Sequence, residues 1–351
     1  QLVYRVLKLA VAGLGIWGQR HVRSARDSGC FEVVAAVDPD TERAQSIADE
    51  LGLDLHSSLE GVLSNTNIDA ITLATPHTLH TKQIVEAAKF GKHVYTEKPF
   101  ALTAVDARSA VDAAKKAGIK LALGHDQRHY PVIKYIRQMI ADNKFGAILH
   151  AETNLSHGST ADLFKKFISN KDSNIARGWR LQEAEIPMGP ISQFGIHRID
   201  AYIHLFGNIE WVFAASSSKG IDPTFIDTLS INLKFESGVT GFIGNSVATP
   251  LHSSLRIFGS EIWAESSGPD TFAEYRECSL VDLVVFSEGN KEEHKFEVID
   301  SVSHNFISFA DSINGKGEFI ISPEEMIHNI EVVDAIGLSL QTGEKAIVRR
   351  D

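Results

Sequence analysis

Apolar residues in the first third of the chain gather in short, largely apolar blocks, separated by stretches where they recur every three or four positions. The blocks at 7–12, 31–37, 70–74 and 119–124 are rich in Val, Ile, Leu and Ala, and 93–96 holds Val94 and Tyr95; all are too short for buried helices and read as strands covered on both faces. The intervening stretches at 41–51, 78–90 (stopped by Gly91) and 103–118 (opened by Thr103, closed by Gly118) carry helical spacing. Ser57-Ser58-Leu59-Glu60 has the spacing of a capping box and predicts a further short helix. Strands alternating with helices at this interval form parallel βαβ units, which bind ligands beyond the carboxyl ends of their strands.

After residue 125 the pattern changes. A helix with Pro131 near its start (131–142) leads into a long alternating strand (147–156) and a polar loop. Strand-like runs then follow in close succession at 211–216, 228–235, 240–247, 254–258 and 280–286, with turn residues such as Glu236-Ser237-Gly238 between them. This spacing predicts an antiparallel sheet. Ser322-Pro323-Glu324-Glu325 opens a last helix, with Ser as cap, Pro at the first position and Glu at the third. The expected architecture is α/β: a doubly wound parallel sheet over 1–125, then an α+β domain over 126–351 with a mostly antiparallel open sheet. That open face suits oligomerisation, as a homodimer or homotetramer.

The turn after the first strand reads Gly13-Leu14-Gly15-Ile16-Trp17-Gly18, and the second strand ends on Asp38. Each glycine has a mechanical reading: Gly13 for the tight turn, Gly15 for backbone approach to a pyrophosphate, Gly18 for close packing of helix on strand. The helix that follows directs amide N–H groups and its positive end toward phosphates. At the end of the second strand, the Asp38 carboxylate can accept from adenosine ribose hydroxyls and would repel a 2′-phosphate. The cofactor expected from these residues is NAD rather than NADP.

Composition narrows the field without changing this picture. The chain has 351 residues, 43% of them apolar, enough for more than one core. No window reaches the roughly 18 apolar residues of a membrane helix, and no signal-peptide pattern opens the chain, so a cytoplasmic protein without a membrane partner is expected. The formal charge of −11 arises from 34 basic and 45 acidic residues, with no basic stripe to suggest nucleic acid. Cys30 and Cys278 lie in unrelated segments, indicating neither disulfides nor a thiolate metal site.

Several motifs together resemble the Gfo/Idh/MocA family, the glucose-fructose oxidoreductase and inositol dehydrogenase group. They are Gly18-Gln19-Arg20-His21, Thr75-Pro76 with His80, Gly91-Lys92-His93-Val94 running into Glu97-Lys98-Pro99, Arg128 with Pro131, Trp179-Arg180, Gly195-Ile196-His197 with Asp200, and Thr342-Gly343-Glu344-Lys345. The resemblance implies an NAD(P)-dependent dehydrogenase or reductase acting at a secondary alcohol or ketone of a sugar, cyclitol or related polyol. It assigns the cofactor to Gly13, Gly15, Ile16, Trp17, Gly18, Asp38, Thr75, Pro76, His77, His80, Glu97 and Lys98. Lys98 is the implied stabiliser of the developing alkoxide, and His197 the proton-transfer group. A cis Lys98–Pro99 bond is also implied.

Arg128, His157, Trp179, Arg180, Gln193 and His197 are the implied substrate contacts. His197, Asp200 and His204 share a helical face like metal ligands, but Asp200 is expected as a structural partner and no metal is expected. The chain departs from the family at Gln193, where many relatives carry Asp; Gln can bond a hydroxyl but holds no charge. Gly189-Pro190 replaces the usual paired glycines, and the basic loop 164–182 has the charge of a lid for a carboxylated substrate. Two other readings use the same residues: an NAD-retaining lyase or glycosidase working through transient oxidation, and a non-catalytic ligand sensor.

Overall fold

The computed structural model describes residues 5–158, 184–189, 191–268 and 280–349. Trp179, Arg180, Cys278 and the 164–182 loop therefore lie outside the described residues. The chain divides into two compact units, one running to Asp126 and rejoined by Asp300–Ile327, the other comprising Gln127–Ile299 and the segment from His328.

In the first unit the apolar blocks become six parallel strands: β1 (Leu7–Ala12), β2 (Phe31–Val37), β3 (Asp54–His56), β4 (Ala70–Leu73), β5 (His93–Thr96) and β6 (Leu121–Leu123). Their order is β3-β2-β1-β4-β5-β6, the doubly wound arrangement whose order reverses at β1. The register aligns their carboxyl ends on one row: Val37 pairs with Ala12, Ala12 with Leu73, Leu73 with Thr96, and Thr96 with Leu123. Whatever follows each strand must emerge along a single edge.

Helices α1 (Ile16–Asp27), α2 (Thr41–Leu51), α3 (Leu59–Leu63), α4 (His77–Lys89) and α5 (Ala104–Ala117) connect these strands. The Thr103 hydroxyl caps α5 by accepting from the Asp106 amide at 3.1 Å, and Gly118 ends it in the left-handed conformation. The expected box at the start of α3 is not formed: Ser58, rather than Ser57, occupies the cap, and its hydroxyl makes no capping bond.

After β6, α6 (Pro131–Ala141) and β7 (Ile148–Ser156) begin the second unit. Its nine-stranded sheet also contains β8 (Ile209–Ser217), β9 (Thr228–Phe235), β10 (Thr240–Ser246), β11 (His252–Gly259), β12 (Trp263–Ser267), β13 (Asp282–Ser287), β14 (Asn290–Lys295) and β15 (Ala346–Ile347). All neighbours are antiparallel except β10 and β7. Leu229, Ile231, Leu233 and Phe235 alternate inward, and α7 (Ile196–Phe206) lies on that face, with Tyr202 edge-on to Phe235 at 5.6 Å. A second row of rings crosses the strands through His150, Phe258, Trp263 and Phe286, the last two stacked at 4.0 Å.

The first unit is completed from far along the chain. Helix α8 (Ser301–Ile313) was not foreseen, and it buries Asn305, Phe306 and Phe309. Phe306 stacks on Tyr95 of β5 at 4.4 Å and meets Phe31 edge-on at 5.7 Å. Asn305 donates to the Tyr95 hydroxyl and to the Leu123 carbonyl, each at 2.9 Å. The final helix α9 (Pro323–Thr342) opens with the expected box: the Ser322 hydroxyl accepts from the Glu325 amide at 3.2 Å, and the Glu325 carboxylate from the Ser322 amide at 2.9 Å. Among the described residues no helix is long and apolar enough to cross a membrane.

Phe306 is fully buried against three aromatic neighbours, so Phe306→Ala leaves a cavity the sheet cannot close. It should destabilise the protein by about 3–5 kcal/mol in denaturant unfolding. A loss under about 1 kcal/mol would show that α8 is not part of the folding core.

Candidate active site

The aligned strand ends bring most of the predicted cofactor residues to one edge of the first unit. Gly13 follows β1 with φ +89°, and a Cβ there would lie 2.6 Å from the Ala74 carbonyl oxygen, so the turn excludes any side chain. Gly18 is tighter still: its Cβ would fall 1.7 Å from the Gly13 carbonyl oxygen. At Gly15 the constraint is absent from the protein itself, since a Cβ would meet nothing within 4 Å. Gly15 is the N-cap of α1, no side chain caps it, and the first turn carries no acid. Unserved amides, a positive helix end and an open approach fit a dinucleotide pyrophosphate. Ile16 at this start is 52% exposed, unlike the buried core around it.

Asp38 follows β2, buried and already engaged. Its Oδ2 accepts from the Leu14 amide at 3.0 Å and from the Arg43 guanidinium at 2.6 Å, and its Oδ1 from the Asp40 amide at 3.0 Å. A carboxylate offers about four acceptor positions, so room remains for one ribose hydroxyl. Arg43 was not singled out from the sequence; it sits in the first turn of α2, five residues past the acid, where helix geometry returns it to the strand end.

After β4, Thr75, Pro76 and His77 are half-buried, while His80 is fully buried one turn into α4. His80 ring nitrogens lie 3.0 Å from the Thr75 carbonyl and 2.8 Å from the Pro99 carbonyl. The ring thus ties the turn after β4 to the turn after β5. Glu97 and Lys98 leave β5, and the Lys98–Pro99 peptide is cis. Glu97 is buried, with Oε1 at 2.8 Å from His21 Nε2 and Oε2 accepting the Lys98 amide at 3.3 Å. Lys98 is half-buried.

The second unit holds the remaining described candidates. The chain makes a single π-helical turn, Ile191–Gly195, directly before α7, a widening found often at functional sites. Gly195 permits it: a Cβ there would meet Ile191 Cδ1 at 2.4 Å and Asn245 Oδ1 of β10 at 2.8 Å. Across 191–200, Gln193, Phe194 and His197 are the half-buried positions; their neighbours are buried. Phe194, which the sequence did not single out, packs its ring 5.6 Å from that of His157. Gln193 and His197, four positions apart, are thus both partly exposed.

Arg128 is fully buried and binds Asp200 with a two-pronged fork, Nε to Oδ2 at 2.9 Å and Nη2 to Oδ1 at 2.8 Å. That fork uses both carboxylate oxygens, which agrees with a structural Asp200. Among the described residues no cluster of His, Cys, Asp or Glu could hold a metal ion. His204 Nδ1 lies 3.2 Å from Arg128 Nη1 and 2.8 Å from Arg137 Nη1. Burial and then the two guanidinium charges push its pKa down to about 3, against the opposing pull of Asp200.

These contacts generate two predictions. Gly15→Ala should fold with a melting temperature near that of the natural protein yet lose most NADH binding in a fluorescence titration, whereas Gly18→Ala should fail to fold stably; the reverse pattern would refute the turn geometry. In the unfolded chain His204 protonates near 6.5, and in the fold only near 3, so between those values the unfolded state binds more protons and acid drains stability. His204→Asn should therefore flatten the decline of the denaturation midpoint between about pH 6.5 and 4. An unaltered slope would mean that His204 titrates normally.

Residues 7–125 match the family model described as the Gfo/Idh/MocA oxidoreductase family, NAD-binding Rossmann fold, and residues 133–265 match the Gfo/Idh/MocA C-terminal domain. A D-apiose dehydrogenase of Paraburkholderia graminis is 29% identical over 243 residues, 69% of this chain and 61% of that protein, so the chain spans less than two thirds of that relative's length. A D-xylose 1-dehydrogenase (NADP(+)) of Haloferax volcanii is 24% identical over 339 residues, 95% of this chain and 97% of that one. Levoglucosan dehydrogenase, solved with NADH and levoglucosan, superposes with a TM-score of 0.85 over 98% of this chain and 100% of its own, at 18% identity, a likeness of fold. With both halves matched in order and the glycine turn, Asp38 and Lys98 on one edge, the chain belongs to the Gfo/Idh/MocA family of NAD-binding oxidoreductases.

Proposed function

We propose that the protein is an NAD-dependent dehydrogenase or reductase acting on a secondary alcohol or ketone of a sugar or related polyol. The observation that carries this reading is the common row of strand ends, which gathers Gly13, Asp38, Thr75 and Lys98 along one edge. Gly15 and the first turn of α1 would hold the pyrophosphate, Asp38 the adenosine ribose, and Glu97 with the Thr75 turn the nicotinamide end. When bound, the nicotinamide supplies the hydride acceptor or donor. Lys98 gives its ammonium to the substrate oxygen as negative charge develops there. His197 takes or returns the hydroxyl proton, and Gln193 bonds a neighbouring hydroxyl without adding charge. His157 and Phe194 would contact the substrate, and Arg128 would act through Asp200 by holding α7.

Sugar-acting relatives such as the D-apiose and D-xylose dehydrogenases support the substrate class. The preference for NAD rests on the charge of Asp38, although Arg43 offsets part of the repulsion of a 2′-phosphate. The ring row across β7, β11, β12 and β13 is the face we take for a homodimer or homotetramer contact.

Lys98→Ala should lower kcat by about a hundredfold or more while NADH affinity stays within a few-fold, measured on a polyol identified by screening for NADH formation. Turnover that survives the substitution would remove Lys98 from the mechanism. Substrate conversion without net NADH would replace the dehydrogenase reading with a redox-neutral one. NADH should also bind more tightly than NADPH in paired titrations, and equal affinities would remove Asp38 as the discriminator.

A further inference from the structure

A line of hydrogen bonds runs under Lys98 through the first unit. Thr72 of β4 and His21 of α1 are both fully buried, with Thr72 Oγ1 2.8 Å from His21 Nδ1. On the other side of the ring, His21 Nε2 lies 2.8 Å from Glu97 Oε1, and Glu97 Oε2 accepts the Lys98 amide at 3.3 Å. An ionised carboxylate only accepts, so Nε2 of His21 carries a proton and donates to Glu97. The ring thus links Thr72 on one side to Glu97 on the other.

The surroundings hold this line in place. Tyr95 at 5.3 Å and Phe306 at 5.6 Å meet the His21 ring edge-on, and Trp17 does so at 6.4 Å, which keeps Nε2 aimed at the carboxylate. Space for the carboxylate comes from Gly124, where a Cβ would sit 2.8 Å from Glu97 Oε1. Other charges packed nearby have partners of their own: Asp300 takes Arg20 and Ser24, Asp126 takes the Ser301 hydroxyl, and the Tyr95 hydroxyl accepts from Asn305.

We propose that Thr72, His21 and Glu97 form a positioning device for Lys98, which fixes a negative charge beside it and favours the protonated form of its ammonium. The proposal rests on the assignment of Lys98 above, adds Thr72 and His21, which the reading did not use, and gives Glu97 a second role. Burial alone would push the Glu97 carboxyl up; the His21 hydrogen bond and charge, then the Lys98 ammonium and amide, outweigh it and hold the group below the usual carboxylate range. The same attraction acts on Lys98 in return, against the loss of hydration that a half-buried ammonium suffers.

The test reads the protonation of Lys98 in the full chain without needing the substrate. Acetylation by acetic anhydride at pH 8 proceeds through the free amine, and mass spectrometry gives the rate at Lys98 relative to an exposed lysine such as Lys134. Glu97→Gln should raise that relative rate about tenfold, the effect of a one-unit fall in pKa. His21→Leu should raise it in the same sense, and His21→Gln, which keeps an N–H for Glu97, should restore most of the natural rate. Thermal melts establish that each variant is folded. A folded Glu97→Gln whose Lys98 reacts at the natural rate overturns the proposal. Should that variant not fold, equal rates in His21→Leu and His21→Gln overturn it instead. A raised acetylation rate together with unimpaired turnover by Lys98→Ala would refute the catalytic assignment and leave the positioning role intact.

Discussion

The packing of Gly18 against the Gly13 carbonyl is the constraint on which the functional edge of the first unit depends. With no Cβ at residue 18, α1 lies against the end of β1 at a distance no other residue allows, since even an alanine methyl would overlap the carbonyl oxygen. That contact does more than seat a helix start beside a phosphate site. It carries His21, one turn further on, into the sheet interior between Thr72 and Glu97. A buried carboxylate here is tolerable because the imidazole donates to it, with the Lys98 amide and ammonium in support. The glycine turn and the Glu97-Lys98-Pro99 turn are remote in sequence yet form one mechanical assembly, closed on its far side by Tyr95 and Phe306.

A comparable device operates in the second unit. Gly195 lets a π-helical turn rest against Asn245 of β10, and the wider turn leaves Gln193, Phe194 and His197 accessible while Ile196, Arg198 and Ile199 are buried. The helix behind them is fixed by the Arg128 fork on Asp200. A buried ion pair of this kind contributes little net stability against a well-packed apolar pair, but losing one partner is costly because the other charge is stranded. It serves better as a lock on the rotation of α7 than as a source of stability. Burial and the same two arginines keep His204 neutral.

Much of this was written in local pattern. Apolar blocks of strand length, helical spacing between them, and Gly-x-Gly-x-x-Gly followed at the next strand end by Asp38 determined the doubly wound unit, because each signal acts over a few residues and is enforced by backbone sterics and burial period alone. The antiparallel character of the second sheet and the capping box at Ser322 were legible for the same reason, although the parallel pairing of β10 with β7 was not. Only the tertiary structure decided that α8, a helix after residue 300, completes the first unit. An amphipathic stripe states that a face must be covered but not which face covers it. Arg43 on Asp38, His21 on Glu97, and His80 between the Thr75 and Pro99 carbonyls were likewise undetermined, because a polar side chain acquires its partner when distant segments are packed and buried together. The sequence marked the residues able to do chemistry; packing chose the partners that set their charge and direction, since only in the desolvated interior does an unpaired polar group cost enough to force a unique arrangement.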